Sequence, residues 1–154
     1  MGLVYALLGA ALAIIGGGLG SAVGVSYASQ AAAGVVGEDP DKFGKLMIFQ
    51  LLPSSNVLYG FIVAFLVFMR TIMGDSAAAA EMTAADGLKY LAVCLPIAVV
   101  GLLSAITQAK VCVSCINMVA KNGELSGRGM TMAAFIELVT LLALVISIFG
   151  VFQI

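Results

Sequence analysis

Residues 129–154 read GMTMAAFIELVTLLALVISIFGVFQI. The stretch is a long apolar run with one ionisable side chain, Glu137, near its middle. An apolar run of about 18 residues or more can cross a bilayer as a helix. A helix satisfies its own backbone hydrogen bonds in hydrocarbon, which an irregular chain cannot do. A carboxylate at that depth is costly, so its default reading is functional.

The rest of the chain agrees with a bilayer setting. Of 154 residues, 62% are hydrophobic and 10% charged, and the mean hydropathy is +1.17. Soluble domains carry about 25% charged residues. The chain therefore reads as an all-α integral membrane protein with lipid as its surroundings. The net charge of -1 offers no basic surface for a nucleic acid. Histidine is absent, which removes the commonest metal ligand and the usual proton switch near neutral pH. No phosphate-binding loop is present, so the chain itself is not read as an enzyme. Cys94, Cys112 and Cys115 fall in apolar sequence. The CxxC of Cys112 and Cys115 has no second pair, so small buried hydrophobes are expected rather than a zinc site.

Four apolar runs follow one another, predicting transmembrane helices over about 3–36, 44–70, 86–120 and 128–153. The first lacks the positive start of a signal peptide and has Ala6 where a myristoylation pattern wants Ser or Thr, so it is read as a retained span. Polar turns separate the runs at 37–45 and 121–128. A polar, Ala-rich connector covers 70–86. Two hairpins result, over 1–72 and 84–154. The turns hold Lys42, Lys45, Lys121 and Arg128, against Arg70 and Lys89 around the connector. By the positive-inside rule the turns are expected on the cytoplasmic side of a cell membrane, with both termini outside.

The hairpins are also repeats. A shift of 83 positions aligns them without a gap: Gly18-Leu19 falls on Gly101-Leu102, Ser21-Ala22 on Ser104-Ala105, Met47 on Met130 and Leu58 on Leu141. Parallel repeats of a helical hairpin follow. The same shift puts Glu137 on Ser54, so only the second hairpin carries the acid.

Gly16, Gly20, Gly24 and Ala28 recur every fourth residue in the first helix, as do Gly101, Ala105 and Ala109 in the third. Such faces let helix backbones approach closely. They fit either a helix contact within one chain or an inner ring of helices from many chains. The second and fourth helices carry Phe61, Phe65, Phe68, Phe135 and Phe149 instead, which suits a lipid-facing layer.

Four features share the depth of the membrane. They are Glu137, the group Ser55, Asn56 and Tyr59, Gln108, and the helix-breaking Pro53. Spacings of three and four put Ser55, Asn56 and Tyr59 on one side of a helix. Proline removes a backbone donor and displaces the carbonyl four residues back. The set suits a hard cation such as sodium, which takes oxygen ligands and a compensating charge. Glu137 supplies the charge. Gln108, Ser55, Asn56 and a backbone carbonyl supply neutral oxygens, and Tyr59 holds Glu137 by a hydrogen bond. The bland alternative is polar glue between helices, worth about 0.6 kcal/mol per pair. Lys110 lies two residues from Gln108, on a different face. It is expected to snorkel or to line a ring interior rather than pair with Glu137.

Phe49-Gln50-Leu51-Leu52-Pro53, Leu58-Tyr59-Gly60-Phe61, Gln108-Ala109-Lys110-Val111 and Ala133-Ala134-Phe135-Ile136-Glu137 resemble the duplicated four-helix proteolipid subunit of V-type rotary ATPases. The likeness covers nearly the whole length and is nearest the bacterial sodium-pumping branch. It implies a rotor ring of identical subunits, one Na+ carried per subunit at Glu137, and rotation coupled to ATP hydrolysis or synthesis by partner subunits. It implies further partners: central-stalk subunits and a stator membrane subunit with a basic residue. The implied ion ligands are Glu137, Gln108, Ser55, Asn56 and the Leu52 carbonyl, with Tyr59 bonded to Glu137. Ser55 and Asn56 stand where the sodium type has Thr and Gln, so whether the shorter Asn56 reaches the ion stays open. The alternatives are the same ring moving H+ and, from another class, a small cation/proton antiporter. The latter should bring aromatic residues to cage its cation. Trp is absent and only Tyr59 is near.

Overall fold

The structure, a computed structural model, describes residues 1–73 and 82–154; the middle of the connector, 74–81, lies outside them. Helix α1 runs over Gly2–Glu38. After a 3-10 turn at Pro40–Lys42, α2 spans Phe43–Leu51 and α3 spans Ser55–Thr71. A second 3-10 turn at Leu52–Ser54 separates these two. Helix α4 covers Ala84–Lys121, and α5, after a turn at Gly123–Leu125, covers Ser126–Gln153. Four stretches are long and apolar enough to cross a membrane: Gly2–Glu38, Pro40–Thr71, Ala84–Lys121 and Gly123–Gln153. They form two hairpins, as expected.

The turns are shorter than their polar sequence suggests. Residues flanking them continue the helices, leaving Asp39–Lys42 and Asn122–Leu125 as the actual reversals. Glu38 and Lys121 cost nothing in helical form once outside hydrocarbon. The 83-residue repeat survives in three dimensions: the turns at Pro40–Lys42 and Gly123–Leu125 correspond, as do the starts of α2 and α5. Asp39 and Asn122 close the preceding helices by backbone bonds to Val35 and Met118. Lys42 Nζ crosses between hairpins. It pairs with Asp39 at 3.0 Å and donates to the Ala120 carbonyl at 2.7 Å, at the negative end of α4.

Helix α1 is the axis of the chain, packed between α3 and α4. Its glycines explain how. A Cβ on Gly9 would lie 2.8 Å from the Cα of Leu91, one on Gly20 would lie 2.7 Å from the Leu102 carbonyl, and one on Gly24 2.9 Å from the Ala105 carbonyl. These are backbone atoms that cannot step aside. Gly17 and Gly60 do the same for α1 against α3, each facing a carbonyl of the other helix, Asn56 and Ala13 respectively. Ala28, Ala105 and Ala109 are fully buried in the same seams. The small-residue stripes therefore serve a contact within one chain. Phe61, Phe65, Phe68, Phe135 and Phe149 are exposed on α3 and α5.

Two apolar clusters fill the interior. One joins Ala6, Ala10, Val63, Val67, Cys94 and Leu144. The other joins Ala28, Leu46, Phe49, Cys112, Cys115 and Ala133. All three cysteines are free and buried, packed as small apolar side chains. Between the clusters lies a polar layer, and Glu137 belongs to it.

Candidate functional site

The layer is built where the second span is broken. In an unbroken helix the Val57 N–H would bond the Pro53 carbonyl. Here the Ser21 hydroxyl of α1 enters that gap, donating to Pro53 O at 2.8 Å and accepting from Val57 N–H at 3.1 Å. A side chain in the i→i−4 ladder, next to a proline, is a recognised cause of a kink. The break leaves Leu52–Ser54 in a 3-10 turn and starts α3 at Ser55, aimed at α5.

Glu137 is half-buried on α5 and takes three hydrogen bonds from protein donors. Its Oε1 accepts from Ser55 Oγ at 2.5 Å and from Tyr59 OH at 2.6 Å. Its Oε2 accepts from Gln108 Nε2 at 2.6 Å. Gln108 is fully buried; Nε2 also reaches the Ala133 carbonyl at 3.3 Å, and Oε1 accepts from Asn56 Nδ2 at 3.3 Å. Ser55 Oγ lies 2.8 Å from the Leu52 carbonyl as well. All six residues singled out in the sequence (Leu52, Ser55, Asn56, Tyr59, Gln108 and Glu137) thus meet in one network. The halves come from different hairpins, with hydroxyls from α3 and the acid and amide from α5 and α4.

Two details go beyond the sequence reading. Asn56 Oδ1 is buried without a hydrogen-bond partner among the described residues, as are the hydroxyls of Thr140 and Ser147. In the sequence Ser21 stands out only as half of the repeat match with Ser104, and its place in the broken ladder does not show there. The signal lies in that match, because Ser104 Oγ reaches the Ile136 carbonyl at 3.4 Å, the position equivalent to Pro53. Lys110 is exposed on another face of α4 and lines a cleft with Tyr27, Gln30 and Val113, apart from Glu137 as expected.

Chemically, a single carboxylate in hydrocarbon is held by three donors and surrounded by amide, hydroxyl and backbone oxygens. Among the described residues no nucleophile–base pair accompanies it. The family model for the ATP synthase C subunit matches the chain twice, over residues 8–67 and 91–149. The chain belongs to the ATP synthase C-subunit family. It is the duplicated form, one copy per hairpin, as in subunit K of the V/A-type ATPases. The chain is 42% identical to the V-type sodium ATPase subunit K of Enterococcus hirae, covering 95% of this chain and 89% of that one. It is 34% identical to the A-type ATP synthase subunit K of Methanocaldococcus jannaschii, covering 98% of this chain and 64% of that one. Membership of the C-subunit family makes this a four-span rotor subunit of a V/A-type ATPase, a membrane part of the complex rather than its catalytic one.

Proposed function

We propose that this rotor subunit carries one sodium ion per chain on Glu137, within a ring of identical copies. The observation that supports it best is the polar shell about the acid, in which two hydroxyls and an amide meet the carboxylate. Ser55 Oγ and Gln108 touch the carboxylate directly, and the Leu52 carbonyl stands one hydroxyl behind. A proton carrier needs the acid and little else. A hard cation needs the neutral oxygens too. The Enterococcus relative is by its name a sodium ATPase subunit.

The amides give the ion its place. Turning the Gln108 and Asn56 amides over together presents Gln108 Oε1 to the cation beside Glu137 and sets Gln108 Nε2 against Asn56 Oδ1, the buried oxygen that lacks a partner among the described residues. Asn56 then holds Gln108 from behind rather than ligating, which suits its short side chain. Ser55 directs its proton to Leu52 O and offers a lone pair forward. Tyr59 keeps its bond to Oε1.

Loading neutralises the carboxylate. A bare Glu137 turned to lipid costs about 2.5–3.5 kcal/mol on insertion scales, so the empty subunit is held back at the stator and the loaded one passes. A basic residue of the stator membrane subunit would offset the empty acid there. The lysine-bearing turns face the cytoplasm and meet the central stalk, through which partner subunits couple rotation to ATP.

The test is carbodiimide labelling of Glu137 in membranes at fixed pH. Millimolar sodium is expected to protect it. Labelling indifferent to sodium and governed by pH alone supports the second reading, in which the ring carries protons. One observation favours that reading. Ser55 has a single proton and two acceptors in reach, so a protonated Glu137 can donate to Ser55 Oγ while Ser55 donates to Leu52 O.

A further inference from the structure

Hydroxyls inside these helices mostly find a partner close by. Thr71, Thr107, Ser114 and Thr131 each donate to the carbonyl four residues back, at 2.8–3.1 Å. That back-bonding is a common resort of Ser and Thr within a helix. Thr140 departs from it. The residue is fully buried on α5, and its Oγ1 has no partner among the described residues. The carbonyl it would use, that of Ile136, already lies against Ser104 Oγ of α4. The 83-residue shift pairs Thr140 with Val57. The first hairpin thus does with an apolar residue where the acid-bearing one places a hydroxyl.

A second orphan oxygen belongs to the same layer. Asn56 is also fully buried, and its Oδ1 is likewise unmet among the described residues. Both residues stand one step from the acid. Thr140 follows Glu137 by three residues, about 4.5 Å of rise along α5. Asn56 adjoins Ser55 and bonds Gln108, and both of those touch the Glu137 carboxylate. The third buried hydroxyl without a partner, that of Ser147, lies seven residues beyond Thr140. That is about 10 Å along the helix, at another level of the core.

We infer that Asn56 and Thr140 share one buried water, seated behind the amide pair rather than on the ion, with Thr140 as its positioning residue. Waters are retained in a protein core where otherwise unmet polar groups converge. The amide chemistry selects water as the occupant. When the two amides turn over on loading, Asn56 Oδ1 goes to Gln108 and Nδ2 takes the place that Oδ1 held. The atom facing Thr140 is therefore an acceptor in the empty subunit and a donor in the loaded one. A carbonyl could serve only the loaded state, and an N–H group only the empty one. A water serves both, as does the threonine hydroxyl that holds it, because each can donate and accept. The amides can then turn without stranding a polar atom in the core. The water site rests on the two orphan oxygens; only its part in the turn rests on the sodium reading.

Two measurements on the intact rotor in lipid test this. High-resolution density maps, with and without sodium, are expected to show one ordered water within hydrogen-bond distance of Thr140 Oγ1 and the Asn56 amide. Infrared difference spectra, sodium-loaded minus sodium-free at fixed pH, are expected to carry an O–H stretching band that shifts in heavy-oxygen water. Thr140→Val, which copies Val57 of the first hairpin, should lose both the water and the band, and Thr140→Ser should keep both. Carbodiimide labelling of Glu137 confirms that each variant is folded. A wild-type map with no water there, or with Thr140 bonded straight to Asn56, overturns the site. So does an isotope-sensitive band that persists unchanged in Thr140→Val. A water present without the sodium-linked band, where sodium still protects Glu137, overturns its part in the turn. Loss of that protection is a separate result and strikes only the sodium reading.

Discussion

The second span of the first hairpin and the second span of the second hairpin descend from one sequence, yet they do opposite things. In the first, Pro53 and the inserted Ser21 hydroxyl break the helix at Leu52–Ser54. In the other, α5 passes the same level unbroken, with Glu137 where the first has Ser54. Ser54 merely bonds its own helix, at Leu51 O. The broken span contributes hydroxyls and a backbone carbonyl, while the intact one contributes charge. Neither hairpin could make the site alone. One copy now supplies hydroxyl donors and the other the acid they hold.

Paired substitutions break or sharpen that contrast. The largest difference is expected at the acid. E137Q removes the charge and should abolish ATP-coupled transport in reconstituted vesicles, whereas S54A at the equivalent position should leave it intact. Next comes Tyr59. Y59F deletes a hydrogen bond to a charged group, worth about 1.5–3 kcal/mol. The bond is present in the empty and the loaded site alike, so its loss should appear as lowered thermal stability in detergent by about that much, while L142A at the matching, exposed position should change it little. The glycine seam follows. G20A drives a Cβ to 2.7 Å from a carbonyl, while G101A places one at an ordinary 3.6 Å from Gly17. Overpacking costs typically about 1–3 kcal/mol, so thermal unfolding in detergent should show G20A destabilised and G101A near wild type. The smallest effect is expected at the serines. S21A lets Val57 N–H and Pro53 O bond each other again, limiting the loss to about 1 kcal/mol. S104A gives up only a 3.4 Å bond and should cost less.

The architecture was legible because a bilayer leaves few choices. Apolar runs, charged turns and an ungapped repeat are enough to give four helices in two hairpins. The members of the polar network were legible for a related reason: Glu137, Gln108 and Asn56 are conspicuous in hydrocarbon. Their partners were harder. Which face of α4 carries Gln108 toward α5 depends on how closely α1 approaches, and that is set by single glycines. Ser21 looks like an ordinary small residue of the stripe, since nothing in its neighbourhood says that its hydroxyl completes another helix. The polar turns mislead at their edges for a simple reason: charged residues outside the membrane extend a helix as readily as they end one.

The reach of Lys42 to Ala120 clips the turn end of one hairpin to the other, while the peptide chain itself joins them at the opposite end. Clipped there, the pair resists scissoring at its turn end. That matters because the donors to Glu137 sit on both leaves of the scissors, and a slip of about one ångström would part them, since such bonds weaken steeply with distance. The clip at the turns therefore guards, from a distance, the register of the two hairpins that share the acid.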